Sequence, residues 1–244
     1  MKSRRRPEIG WVPGIEARGL TLRAGDRILA DRLDLCISPG EFLVIAGPSG
    51  TGKTTLLEAL AGFASPGGGK VEWKGRERIQ PPAVFPKQAG FVYQHLRLAE
   101  QLDALTNVCC GRLGQYGGWH SALGFRRGER EQAYGLLASL GLSTAADKPV
   151  GVLSGGERQR VALARALHQD PLVYFVDEPV ANLDRANAQI VLARLHKEVR
   201  ERGKTVVAVL HDETHIRLYA DRVLRWDRDA PSLWKPSEVR KEKA

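Results

Sequence analysis

The sequence predicts an α/β domain: a mostly parallel sheet covered on both faces, short antiparallel strands beside it, and an inserted helical lobe. Three observations carry this. Five continuous apolar, β-branched or aromatic runs, Phe42–Ala46, Gly90–Tyr93, Leu172–Val176, Thr205–Leu210 and Arg222–Trp226, read as strands buried on both sides. Helical stretches lie between them, as a layered α/β core requires. Residues from about 95 to 157 contain no strand-like run at all.

Taken in order, Ile15–Gly40 alternates loosely and carries turn signals at Gly25-Asp26 and Pro39-Gly40, so short antiparallel strands are expected there. Lys53–Phe63 places Leu56, Leu57 and Leu60 on one side of a helix. Glu129–Leu140 reads as an amphipathic helix with Ala133, Leu136, Leu137 and Leu140 inward, stopped by Gly141. Arg185–Arg202 repeats Val191, Leu195 and Val199 at a spacing of four, with Gly203 as its C-terminal cap. The expected organisation is one domain over 10–228: a core of 10–94 and 158–228, a helical subdomain of 95–157, and charged tails at 1–9 and 229–244.

Composition narrows the function classes. The chain has 244 residues, of which 43% are hydrophobic, enough for one full-sized core. Its net charge of +9 sits largely in Lys2–Arg6 and Lys235–Lys243, and no nucleic-acid-binding module accompanies it, so no nucleic acid is expected as partner. Cys36, Cys109 and Cys110 form neither a CxxC pair nor a disulfide framework. The apolar runs are too short to cross a bilayer, and the basic stretch Met1–Pro7 has no apolar segment behind it, so a cytoplasmic protein is expected.

The chemistry is concentrated in a few motifs. Gly47-Pro48-Ser49-Gly50-Thr51-Gly52-Lys53-Thr54 satisfies G-x-x-x-x-G-K-[ST] between a strand and a helix. Its glycines let backbone N–H groups face phosphates, the helix start adds a field that favours anions, Lys53 reaches the β- and γ-phosphates, and the Thr54 hydroxyl can ligate Mg²⁺. The run Leu172–Val176 ends in two adjacent carboxylates. Asp177 suits a metal's water shell, and Glu178 would then polarise an attacking water. His211 and His215 stand four apart, but Asp212 rather than Glu follows the first and no third ligand is evident, so a zinc site is not expected.

Leu153-Ser154-Gly155-Gly156-Glu157, followed by Arg158-Gln159-Arg160, resembles the signature motif of ABC transporter ATPases and lies shortly before the Asp177 strand, as in that family. Gln94 resembles the family's Q-loop glutamine, Ala181-Asn182-Leu183-Asp184 its D-loop and His211 its switch histidine, all in the family's order. The resemblance spans almost the whole chain and implies the ABC ATPase fold: a P-loop NTPase core of RecA type with a small antiparallel β region and an inserted helical subdomain. It implies ATP and Mg²⁺ as cofactors. Residues 47–55, ending in Thr55, would bind the nucleotide, with Thr54, Gln94 and Asp177 toward the metal and Lys53, Gln94, Glu178 and His211 toward hydrolysis. Ser154, Gly155, Gly156, Glu157 and Asp184 would complete the site of a second copy, so that two ATPs are sandwiched in a dimer. The implied partners are integral membrane permease subunits and a periplasmic or extracellular solute-binding protein. The implied place is peripheral, on the cytoplasmic face of the inner membrane.

Within that family the likeness is to ATPase subunits of phosphonate importers, carried by Leu105–Val108, Gly111–Gly114, Trp119, Gly124-Phe125 and Asp177–Asp184. The importer reading takes in phosphonate or a related phosphorus oxyanion, and import against export stays open. The alternative is a soluble or regulatory ABC ATPase attached to an intracellular enzyme complex. The surface from His95 to Asn107 and on to Trp119 is expected to meet the permease, with Leu96, Leu98, Leu102 and Leu105 either gripping a partner helix or packing the lobe. One departure stands out: Ala24 occupies the position where the family has an aromatic residue stacking on adenine, with Arg23 and Arg27 beside it.

Overall fold

The computed structural model describes residues 14–74, 88–115, 124–181, 183–227, 229–230 and 233–239. Trp119, Asn182 and the basic N-terminal stretch lie outside them, as does most of the C-terminal run of charge.

Strands β1 (Gly14–Ala24) and β2 (Arg27–Ile37) pair antiparallel around a turn at Gly25, where φ is 58°. They are 11 residues each, longer than expected, and β1 also pairs with β4 (Gly68–Lys74), which the sequence pattern does not reveal. Ile15, Ala17, Leu20 and Leu22 of β1 point inward. Trp73 of β4 is buried and donates from Nε1 to the Leu60 carbonyl at 3.0 Å, tying this small sheet to the helix α1 (Lys53–Ala61).

The large sheet has six strands in the order β5 (Ala89–Val92), β6 (Val173–Asp177), β7 (Thr205–Val209), β3 (Phe42–Ala46), β8 (Arg222–Trp226) and β9 (Trp234–Glu238). All neighbours are parallel except β8 and β9. The two faces explain the continuous apolar runs. Phe42, Val44 and Ala46 of β3 join a core shared with the helical elements, whereas Leu43 and Ile45 join α1 and the antiparallel sheet. Tyr174 and Val176 of β6 divide from Val173 and Phe175 in the same way.

The expectation of a charged tail at 229–244 is corrected over residues 234–238, which form β9. Trp234 is 6% exposed and donates from Nε1 to the Leu29 carbonyl at 2.9 Å, and Lys235 pairs with Asp227 at 2.6 Å. The charges concealed an edge strand anchored by one buried tryptophan. Pro236 fits there because an edge strand leaves one row of backbone groups unpaired.

Between β5 and β6 lie α2 (Ala104–Cys109), a 3₁₀ stretch (Cys110–Gln115), α3 (Arg127–Ser139) and α4 (Gly155–Gln169). The α3 face matches the sequence pattern at Ala133, Leu137 and Leu140, which are buried, while Leu136 is partly covered. Of the four leucines considered for docking, Leu105 is buried in the lobe, Leu96 and Leu98 lean on the same core, and Leu102 is 41% exposed. The helix α5 (Arg185–Arg202) ends at Gly203, φ 64°, and α6 (Glu213–Tyr219) leads into β8. No helix among the described residues is long and apolar enough to cross a membrane.

Candidate functional site

Topology assembles the site. In the central strands Ile45 and Asp177 both pair with Val209, so the carboxyl ends of β3, β6 and β7 finish at one level. The glycine-rich loop after β3, Glu178 after β6 and His211 after β7 therefore converge on one rim, where open α/β sheets bind ligands.

The loop 47–54 has its shape because side chains are excluded from it. A Cβ on Gly47 would lie 2.9 Å from the Cβ of Trp226, and one on Gly52 would lie 2.9 Å from that of Leu29. Gly52 also has φ 93°, a conformation that costs other residues about 1–2 kcal/mol, and it starts α1 with no side-chain cap on the first N–H groups of that helix. Lys53 is 6% exposed and donates to the Pro48 carbonyl at 2.7 Å, and the Thr51 hydroxyl donates to the same oxygen at 3.0 Å. Burial lowers the Lys53 pKa, and the charges of Glu178 and Asp177 oppose that shift. Pro48, Ser49 and Gly50 are exposed at the loop's tip, and Thr55 is half-buried.

Thr54 Oγ1 donates to Asp177 Oδ2 at 2.9 Å, so the two residues expected to face a metal are in contact. Asp177 is 3% exposed, and its Oδ1 is buried without a hydrogen-bond partner. Burial raises its pKa, while the bond from Thr54 works against the rise. A hydroxyl and an unsatisfied carboxylate oxygen beside a phosphate loop are hard oxygen donors, which fit Mg²⁺ held jointly with phosphates. Among the described residues no group of three or more His, Cys, Asp or Glu side chains could hold a metal by itself.

Glu178 comes next in the chain, with φ 49°. A glutamate in the left-handed region costs about 1–3 kcal/mol and persists only where its surroundings hold it there. The His211 Nε2 lies 2.7 Å from Glu178 Oε1, and the Glu178 carbonyl accepts from Gln159 Nε2 at 2.8 Å and from the Ala181 N–H at 3.4 Å. Gln94 is exposed just beyond β5 and lines, with Glu178, Gly155 and Gln159, a cleft of about 600 Å³. Two residues to which the sequence assigns no role act on this cleft from α4. One is Gln159. The other is Arg165, whose guanidinium donates to the Leu96 and Arg97 carbonyls at 2.7 and 2.6 Å and so holds the loop after Gln94. Gln159 stands in the signature stretch, but neither residue's bonds leave a local signal, since each partner lies far along the chain.

The Ser154 turn is a second, separate feature. Ser154 caps α4: its Oγ accepts from the Glu157 N–H at 3.3 Å, and Glu157 Oε2 accepts from the Ser154 N–H at 2.8 Å and from its hydroxyl at 2.7 Å. Those bonds, the one from the side chain first, lower the Glu157 pKa. Ser154 and Gly155 are exposed, Gly156 is half-buried, and no hydrogen bond among the described residues joins this turn to the 47–54 loop. Asp184 caps α5, accepting from the Asn187 N–H at 2.9 Å and side-chain amide at 2.6 Å, which lowers its pKa. The structure thus joins Lys53, Thr54, Asp177, Glu178 and His211 in one site and leaves Ser154–Glu157 on an outward face. Ala24 is exposed at the end of β1, between exposed Arg23 and Arg27.

Comparison with known proteins agrees with this architecture. The family profile described as "ABC transporter" matches residues 30–181, more than half of the chain. The phosphonates import ATP-binding protein PhnC of Rhizobium johnstonii is 38% identical over 215 residues, covering 86% of this chain and 76% of the relative. PhnC 1 of Natronomonas pharaonis is 40% identical over 211 residues, covering 86% and 88%. Among solved structures, the ATP-binding cassette MJ0796, as a dimer in a post-hydrolysis state with ADP and Pi, superposes with a TM-score of 0.80 at 29% identity over 93% of this chain and 99% of that one. Matched by that profile over residues 30–181 and by relatives 38–40% identical, this chain, with its glycine-rich loop, Asp-Glu strand end and capped Ser-Gly-Gly turn, belongs to the ABC transporter family as one of its ATP-binding cassettes.

Proposed function

We propose that this cassette hydrolyses ATP to energise a membrane importer of phosphonate or a related phosphorus oxyanion, working as a dimer on the cytoplasmic face of the membrane. The observation that carries the hydrolytic reading is Glu178, held at φ 49° with its carboxylate 2.7 Å from His211 and next in the chain to the Thr54–Asp177 pair. The phosphates sit on the N–H groups of 47–55, and Lys53 turns its ammonium from the Pro48 carbonyl to the β- and γ-phosphates. Thr54, Asp177 and Gln94 would hold Mg²⁺. The ion, when bound, neutralises charge on the phosphates. Glu178 accepts a proton from the attacking water, and His211 steadies both that carboxylate and the γ-phosphate. The outward turn Ser154-Gly155-Gly156, backed by Glu157 and with Asp184 nearby, covers the nucleotide of a second copy. Its exposure in one chain, and the dimeric state of the similar cassette MJ0796, support that placement. The phosphonate assignment rests on the PhnC relatives, as do the permease partners and a solute-binding protein in the same system.

Glu178→Gln tests the hydrolytic core: nucleotide binding should stay within about twofold while turnover falls by roughly 10²–10⁴. Unchanged turnover would remove Glu178 from its role. For the transport half, the chain should copurify with a multi-span membrane protein, and Lys53→Ala should abolish growth on a phosphonate as phosphorus source. Copurification with a soluble enzyme complex alone would select the non-transport alternative.

A further inference from the structure

Glu178 stands in a backbone conformation that a glutamate does not choose for itself, so something must hold it. The candidates are few. The His211 contact engages the carboxylate and leaves the peptide free to rotate. On the backbone, the Ala181 N–H comes from the same turn at 3.4 Å, a long bond that moves with Glu178. Among the described residues the remaining donor is external: Gln159 Nε2, 2.8 Å from the Glu178 carbonyl and carried by α4. Gln159 is 6% exposed, and its Oε1 is buried with no hydrogen-bond partner. A buried acceptor left unmatched is unfavourable, so this amide packs less well than an apolar chain of the same length would. Its donor half is what the site uses. The helix that carries it is a firm base, because Ser154 caps one end, Arg160 reaches the carbonyl of Leu140 and the side chain of Asn187, and Arg165 grips the Leu96 and Arg97 carbonyls.

We infer that Gln159 is the positioning residue that holds Glu178 in its left-handed conformation, and that it does so from the helix whose first turn is the Ser154 signature. It acts through the Glu178 backbone and touches no reacting atom. Rotation of Glu178 into the extended region would swing the carboxylate away from His211 and the phosphate loop. The same bond makes the pose of the hydrolytic carboxylate depend on the position of α4. A helix that engages a second copy through its first turn, and the loop after Gln94 through Arg165, therefore reports both to the carboxylate.

This inference rests on the hydrolytic reading of Glu178, so ATPase activity of the unmodified chain is measured first; its absence would count against that reading itself. Gln159→Met keeps length and apolar burial and removes the donor, and Gln159→Leu repeats the test with a different shape. The expected result is a kcat about tenfold lower, KM and ATP affinity within about twofold, and an unchanged thermal midpoint. In a Glu178→Gln background, where the carboxylate is already gone, Gln159→Met should lower residual single-turnover hydrolysis no further. An unchanged kcat in Gln159→Met would overturn the inference. So would a joint loss of affinity and turnover in both variants, or a further tenfold loss in the Glu178→Gln background, since each marks a general packing role.

Discussion

Acid should destabilise this cassette through one buried imidazole. His168 lies on α4, 1% exposed, and neither ring nitrogen has a hydrogen-bond partner. Burial first, and then the charge of Arg112, push its pKa down to about 4, while Glu129 acts the other way. An unfolded chain binds a proton on this ring below about pH 6.5, whereas the folded chain resists until about pH 4, so the contribution is complete above the upper value and is lost as the pH falls through the window. The whole window corresponds to about 3 kcal/mol, and about 2 kcal/mol of it is gone by about pH 5. That is a large share of a typical domain stability of about 5–15 kcal/mol. His168→Phe keeps a ring of similar size, removes two unmatched polar atoms and cannot titrate. Urea unfolding at about pH 7.5 and about pH 5 should show the parent losing about 2 kcal/mol more than His168→Phe, a gap of roughly 4–8 °C in thermal midpoint. If both proteins lose the same amount, the imidazole is not buried neutral and the reasoning fails.

The nucleotide site can be probed in two further ways. A chain carrying Lys53→Ala, mixed with one carrying Ser154→Arg, should hydrolyse ATP where neither does alone, because one hybrid site keeps both an intact phosphate loop and an intact signature turn; activity per chain that stays constant on extreme dilution would contradict the shared site. GTP should be hydrolysed within about tenfold of ATP, a gap of about 1.4 kcal/mol or less, since Ala24 offers no stacking face and the phosphate loop does not read the base. Ala24→Tyr should then tighten ATP binding, and a strong ATP preference in the parent would point to Arg23 as the first substitute to examine.

What the sequence revealed and what it hid have physical reasons. The five parallel strands were legible because burial on both faces leaves an uninterrupted apolar run, and Phe42–Ala46 and Arg222–Trp226 match to the residue. The glycine-rich loop 47–54 was legible because its backbone admits so few side chains. By contrast, β4 and β9 escaped notice: Gly68–Lys74 is mostly glycine and charge, and Trp234–Glu238 carries Lys, Pro and Glu beside a single buried tryptophan. Asp184 read as a nucleotide contact, and the structure shows its carboxylate engaged in capping α5. Gln159 stands in the signature stretch, yet its bond to Glu178, like those of Arg165, could not be found from pattern, because a hydrogen bond to a distant carbonyl leaves no trace in local spacing.

The placement of β3 has a consequence for how the chain acquires its structure. This strand leads into the phosphate loop, yet both of its neighbours, β7 and β8, come from the last third of the sequence. At its entrance, the Gly40 N–H donates to the Thr205 hydroxyl, 165 residues away. Closing so long a span must precede any reward from the pairing, which makes folding slow by the standards of local topologies. Until residues 205–226 arrive, β3 is an apolar ribbon with two open edges. ATP is therefore a poor guide for the early stages of folding, since the strand that leads into the loop that would grasp it pairs with strands that dock late. Nascent or heat-opened chains should expose this ribbon, and added nucleotide should protect the finished cassette without hastening its formation.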